Sequence, residues 1–154
     1  MKFPEELDQG GEHNIVFEYI DSSIPFVEEH LEWIKSWINH TVEGYGYMPG
    51  NITYILSDDA YLQDVNLKFL QHEALTDIIT FQYSQKPISA DIYISHERIK
   101  DNSVTFKVPF ENELLRVIIH GILHCCGFGD KSEEEKSTMR ALEDKHIAIF
   151  YDGV

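Results

Sequence analysis

Cysteine is almost absent from this 154-residue chain: there are two, Cys125 and Cys126, and they are adjacent. A crosslink between neighbours closes a minimal loop and removes little chain entropy, so disulfide stabilisation is excluded. Cations are scarce too, with 12 Lys and Arg against 27 Asp and Glu and a net charge of −15. Binding phosphate through the overall field of a protein needs the opposite sign. A coat for nucleic acid or for an anionic membrane is therefore excluded, and any nucleic-acid site must be local. No apolar run approaches the ~20 residues of a membrane span, and the polar, acidic residues 1–12 lack the basic start and apolar core of a secretory leader. The expectation is a cytoplasmic protein without membrane contact. Repeats, low-complexity tracts and long Pro, Gly or Ser linkers are missing as well, so nothing marks a second domain. We expect residues 1–12 to be loose and 13–154 to form one domain with a sizeable core, as suits this length.

What is present reads as alternating elements. Ile15 to Tyr19 has strand composition, and a helix should follow from a Ser23 cap with Pro25 in its first turn and Val27, Leu31, Ile34 and Ile38 on one face. His40 to Gly50 carries the glycines and proline of a loop. Asn51 to Ser57 predicts a second strand. Ser57, Asp58 and Asp59 offer caps to a helix bearing Leu62, Val65, Phe69 and Leu70. Thr76 to Tyr83 and Ala90 to Ser95 are two further strands joined across Gln85, Lys86 and Pro87. The order implies an α+β fold, a mixed four-stranded sheet packed with helices.

The segment from about Asn112 to Cys126 is apolar all round the helical wheel, from Leu114 to Cys126, which places it in the interior. Into this buried helix the sequence sets His120 and His124, and Gly127 stops it in the left-handed C′ position. Ser132 and Glu135 then form a capping box for a last helix whose inward stripe is Met139, Leu142, His146 and Ile149. Glu133, Glu134 and Glu135 suit its positive end. Trp33 and Trp37 fit core packing of the first helix, and the two cysteines fit small buried side chains.

Residues four apart on a helix sit one above the other, so His120 and His124 can present two imidazoles to one point. After the glycine stop the chain can double back to bring Asp130 as a third donor. Two imidazoles and a carboxylate leave one position of a tetrahedral zinc ion open, the zincin-like pattern of catalytic sites; nickel, manganese and iron suit this donor set less well. Taken alone, the spacing leaves a second reading open, that of two hydrogen-bonded core histidines. Gly121 costs ~1 kcal/mol relative to Ala inside a helix and points to a close approach by backbone or ligand. It also stands where the HExxH proteases carry their general base, which weighs against peptide hydrolysis.

His120-Gly121-Ile122-Leu123-His124 with Gly127, Phe128 and Asp130 resembles the HGxLHLxGYDH signature of the YbeY family. Thr76 to Phe81 resembles its TDVLSF segment and Ala90 to Ile94 its GDI strand. The resemblance implies a single-strand-specific, zinc-dependent endoribonuclease holding one Zn2+ per chain through His120, His124 and Asp130. It further implies a role in small-subunit ribosomal RNA maturation and ribosome quality control, with ribosomal RNA, the small subunit and a ribosomal protein as partners. The alternative is a metal-stabilised ribosome-assembly factor that binds RNA or a ribosomal protein without cutting. Three positions depart from the family pattern. Asp130 replaces its third histidine, Cys125 a leucine, and Leu70 an arginine suited to stabilising charge on a phosphodiester.

Another cation must then face the substrate. Arg116, one turn before His120, can do so or can form a buried ion pair with Asp77 or Asp91. Lys68, His72 and Lys131 are further choices. Asp77 and Asp91 either orient the histidines or cap strand ends. Metal chemistry would generate hydroxide from bound water or activate a phosphate oxygen, with the ribose 2′-hydroxyl as the other nucleophile; the sequence assigns no catalytic residue beyond the ligands. An acidic protein acting on RNA also needs its few cations gathered along one groove, or a basic protein to deliver it.

Overall fold

The structure is a computed structural model and describes residues 15–21, 23–71 and 75–153. The expected loose segment 1–12 and the histidines His13 and His72 lie outside the described residues. Four strands form one mixed sheet: β1 Ile15–Tyr19, β2 Pro49–Ser57, β3 Ile78–Gln85 and β4 Ile88–Ser95. Its order is β1-β2-β4-β3, with β1, β2 and β4 parallel and β3 antiparallel at the edge. The helices are α1 Pro25–Glu29, α2 Leu31–Gly44, α3 Asp59–Val65, α4 His96–Phe106, α5 Phe110–Cys125 and α6 Glu133–Asp152. This is the α+β arrangement of one mixed sheet and packed helices that the element order implied.

Helix α5 is the interior element. Leu114, Leu115, Ile118, Ile119, Ile122 and Leu123 are all buried, and Ile52, Leu56, Ile92 and Ile94 supply the sheet side of the same core. Gly121 lets the two surfaces close: a Cβ there would meet Ile78 Cδ1 at 3.1 Å and Ile92 Cδ1 at 3.3 Å. The close approach anticipated at this glycine is thus made by sheet side chains. Tyr54, fully buried on β2, donates its hydroxyl to the Ile118 carbonyl at 2.8 Å and stacks on Phe17, tying sheet to helix. Trp37 and Trp33 donate their indole N–H groups to the carbonyls of His146 and Phe150, so α2 is bound to α6 by the tryptophans that the sequence assigned to the core.

Several boundaries differ from the sequence reading. The first long helix breaks at His30 into α1 and α2, and α1 starts from Ile24 without a side-chain cap, not from Ser23. The loop expected over His40 to Gly50 is shorter, because α2 runs to Gly44 and β2 begins at Pro49. Helix α3, capped by Asp58, passes into a π-helical turn, Asn66–Leu70. Helix α4 had no counterpart among the predicted elements. It is capped by the Ser95 hydroxyl, yet buries only Ile99 and Ser103, too weak an apolar stripe to stand out. The capping box of Ser132 and Glu135 is present at the start of α6. Among the described residues no helix is long and apolar enough to cross a membrane.

His146 has no ligand spacing and is a core residue 6% exposed. Its Nε2 pairs with the Tyr45 hydroxyl at 2.8 Å, while Nδ1 has no partner among the described residues. Burial, with the charges of Lys145 and His40, pushes its pKa down to about 4. Since the unfolded chain takes up this proton near the ordinary 6.5 and the folded chain only near 4, the contribution is intact above 6.5 and is lost as the pH falls toward 4. Urea titrations should show unfolding free energy dropping by up to about 3 kcal/mol across that window through this residue. In His146→Gln that part of the slope should vanish; an unchanged slope would contradict the assignment.

Candidate metal and RNA site

Helix α5 ends in a turn that carries the third candidate ligand. Gly127 adopts φ +103°, its N–H bonds the His124 carbonyl at 3.0 Å, and the Phe128 N–H reaches back to Leu123 O at 3.1 Å. This paired Schellman arrangement needs a left-handed residue, which glycine supplies without a Cβ penalty. The chain reverses and returns Asp130 to the helix, where its Oδ2 lies 3.2 Å from His120 Nε2.

The other nitrogen of His120 is held from the opposite side. Nδ1 is 2.8 Å from Oε2 of Glu143, a residue of α6 only 5% exposed. His124 Nδ1 faces the Phe128 carbonyl at 3.2 Å. A carboxylate and a carbonyl can only accept, so each Nδ1 donates and each Nε2 is the atom left to meet a metal; at His120 that atom faces the Asp130 carboxylate, and an ion bound there would replace the proton held between them. Two such imidazoles and a carboxylate are suitable donors for zinc. Donors ~2.0 to 2.2 Å from one ion at a tetrahedral angle are ~3.3 to 3.6 Å apart, close to the His120–Asp130 separation. The structure brings these two together and leaves His124 exposed at the end of the helix. Among the described residues no group of three His, Cys, Asp or Glu side chains converges closely enough to hold an ion.

Electrostatics favour a cation at this point. Burial opposes charge on His120, but the hydrogen bond and charge of Glu143, with Asp130 and Asp77 behind it, outweigh burial and raise its pKa. The same negative field that holds a proton there would attract a metal ion. The two thiols that follow His124 in the chain lie in the core and do not line this site, and burial pushes Cys125 up to about 12 and Cys126 up to about 11.

His120 and Asp130 open onto a cavity of about 530 Å³ between α4, α5, α6 and the start of β3. Arg116 lines it, but its partners are Glu143 Oε1 at 2.9 Å and Asp144 Oδ1 at 2.6 Å. The ion pair expected with Asp77 or Asp91 is not formed, because α6 packs across α5 and supplies the carboxylates first. Asp77 lines the cavity, where burial raises its pKa against a backbone hydrogen bond, and accepts a long 3.5 Å contact from the Asn102 amide. Asp91 accepts from the Tyr83 hydroxyl at 2.9 Å and makes no contact with either histidine among the described residues. Lys68 pairs with Asp64, and Lys131 does not line the cavity. Lys136 and Arg140 do, so with Arg116 three of the twelve Lys and Arg residues gather here. They are interleaved with the carboxylates of Asp77, Glu113, Asp130 and Glu143 on the same wall, so contact with phosphate would be made by single cations and not by a positive field.

Glu143, Lys136 and Arg140 escaped the sequence reading. For Glu143 the signal was available: it sits four residues after Met139 on an inward stripe, where a lone carboxylate must have a partner.

Comparison with known proteins adds an independent line. A family model described as Endoribonuclease YbeY matches residues 17–150. The Endoribonuclease YbeY of Flavobacterium johnsoniae is 46% identical over 127 residues, covering 82% of this chain and 91% of that protein. The protein of the same name from Flavobacterium psychrophilum is 44% identical over 126 residues, covering 81% and 89%. The solution structure of TM1509 from Thermotoga maritima shares the fold, with a TM-score of 0.66 and 23% identity over 90% of each chain.

If Glu143 orients His120, then Glu143→Gln, which removes the charge but keeps an oxygen acceptor, should weaken zinc affinity by about 10- to 100-fold. Competition against a chromophoric chelator measures it. Unaltered affinity in a folded variant would show that Glu143 serves packing alone.

Proposed function

The chain belongs to the YbeY endoribonuclease family, and from that premise we propose that it cuts single-stranded segments of ribosomal RNA precursor in the cytoplasm. The work is maturation of the small ribosomal subunit and ribosome quality control, with one zinc ion held by His120, His124 and Asp130 and with a ribosomal protein as partner. The observation that carries this reading is His120 fixed between Glu143 and Asp130 at the wall of a cavity that also gathers Arg116, Lys136 and Arg140.

Each residue has a definite task. Glu143 fixes the ring plane and tautomer of His120, and Arg116 in turn fixes Glu143 by its 2.9 Å ion pair. Arg116 is thereby spent on positioning. Zinc held by these residues would lower the pKa of a coordinated water toward ~7 and polarise a phosphoryl oxygen. Asp130 in place of histidine takes one unit of positive charge from the ligand set, which favours activation of water less and tight metal retention more. With Leu70 where the family has arginine, Lys136 and Arg140 are the cations left to meet the phosphate backbone.

The net charge of −15 and Leu70 favour a second reading, an assembly factor that binds without cleaving. Elemental analysis and a cleavage assay separate the two. The parent protein should carry zinc and cut precursor RNA, while His120→Ala and Asp130→Ala should lose both. Cleavage by a zinc-free variant contradicts the metal mechanism. Binding to small subunits with precursor left intact across several divalent metals supports the assembly reading instead.

A further inference from the structure

Glu113 is a buried residue whose carboxylate has no partner among the described residues. It is 5% exposed, lines the 530 Å³ cavity, and makes no hydrogen bond or ion pair within 4 Å among the described residues. Its one cationic neighbour on α5, Arg116, directs both terminal nitrogens to Glu143 and Asp144. Burial and the nearby carboxylates of Asp77 and Glu143 raise its pKa, against the charges of Arg116 and Arg140. Its carboxyl is met by no donor among the described residues and opens onto the cavity, where it is available to accept a hydrogen bond from a ligand.

Two further cavity residues are uncommitted. Arg140, exposed on α6, has no ion pair within 4 Å among the described residues, yet its charge bears on Glu113. Phe106, the last residue of α4, is 59% exposed and presents an aromatic ring at the same cavity. Neither is needed by the core. Glu113 precedes His120 by seven residues on α5, two turns or ~10.5 Å along the axis. That offset is too large for Glu113 to share a reacting atom with His120 and suits contact with a neighbouring nucleotide.

We propose that Phe106, Glu113 and Arg140 form a subsite for one nucleotide flanking the scissile phosphodiester. The Phe106 ring stacks on the base and Arg140 takes the adjoining phosphate. The Glu113 carboxyl accepts a hydrogen bond from a donor on the nucleotide, either an exocyclic amino group or a ribose hydroxyl. Aromatic stacking and one cation are the usual elements of single-strand binding, and the unpartnered acceptor adds selectivity. The inference rests on the reading of this cavity as the RNA-cleaving site.

Fluorescence anisotropy with short end-labelled oligocytidylate, oligouridylate and oligodeoxycytidylate in EDTA tests the subsite without cleavage. Phe106→Leu should weaken RNA binding about fivefold or more, and Phe106→Tyr should restore it. Arg140→Ala should weaken both RNA probes alike and reduce the slope of log affinity against log salt by about one. If the donor is an amino group, the parent prefers cytidylate to uridylate; if it is the ribose hydroxyl, the parent prefers RNA to DNA. Glu113→Leu should erase whichever preference the parent shows, while both surface variants check the outcome if Glu113→Leu fails to fold. Parent-like binding by Phe106→Leu and Arg140→Ala overturns the subsite, as does a parent that ignores all three probes. A parent with the predicted binding pattern that cuts no RNA with any divalent metal overturns the nuclease reading and leaves the subsite standing.

Discussion

A buried carboxylate on one helix grips a histidine on another, and the site is organised around that contact. Glu143 reaches from α6 to His120 on α5 with one oxygen and to Arg116 with the other. Removing such an acid from water is tolerable only because both oxygens are bonded and a guanidinium offsets the charge. In exchange, the crossing of α5 and α6 is fixed at the point where the Schellman turn returns Asp130. Position, tautomer and local field at His120 thus follow from one packing arrangement.

Charge distribution resolves a tension in the composition. A chain with 15 excess negative charges repels RNA at long range. Lys136 and Arg140 face the cavity from α6, and the third cation there is neutralised by Glu143 and Asp144. Selectivity for phosphate must therefore come from short-range contact inside the cavity, where screening by salt is weaker than on open surface.

Local rules made much of this legible in the amino-acid order. The interior character of α5, its glycine stop and the capping box of α6 each depend on residues a few positions apart, and all three are present. The return of Asp130 toward His120 follows from the same kind of rule, a tight reversal after Gly127, and its carboxylate lies 3.2 Å from that ring. What escaped depends on how helices cross. The partners of Arg116 lie 27 and 28 residues away on α6, and no periodicity encodes that pairing. Helix α4 was missed because its apolar stripe is thin, and Lys136 and Arg140 become site residues only through the angle between α5 and α6. The placement of His124 also lies beyond spacing rules, because its ring is bonded to the carbonyl of Phe128 in the turn that follows.

Anomalous diffraction at the zinc edge from crystals grown with the metal tests the central claim most directly. The account predicts a single strong peak with His120 Nε2, His124 Nε2 and an Asp130 oxygen within ~2.0 to 2.2 Å, a fourth position open to solvent, and Glu143 still on His120 Nδ1. An ion bound elsewhere, or no ion while His120 remains paired with Asp130, would contradict it.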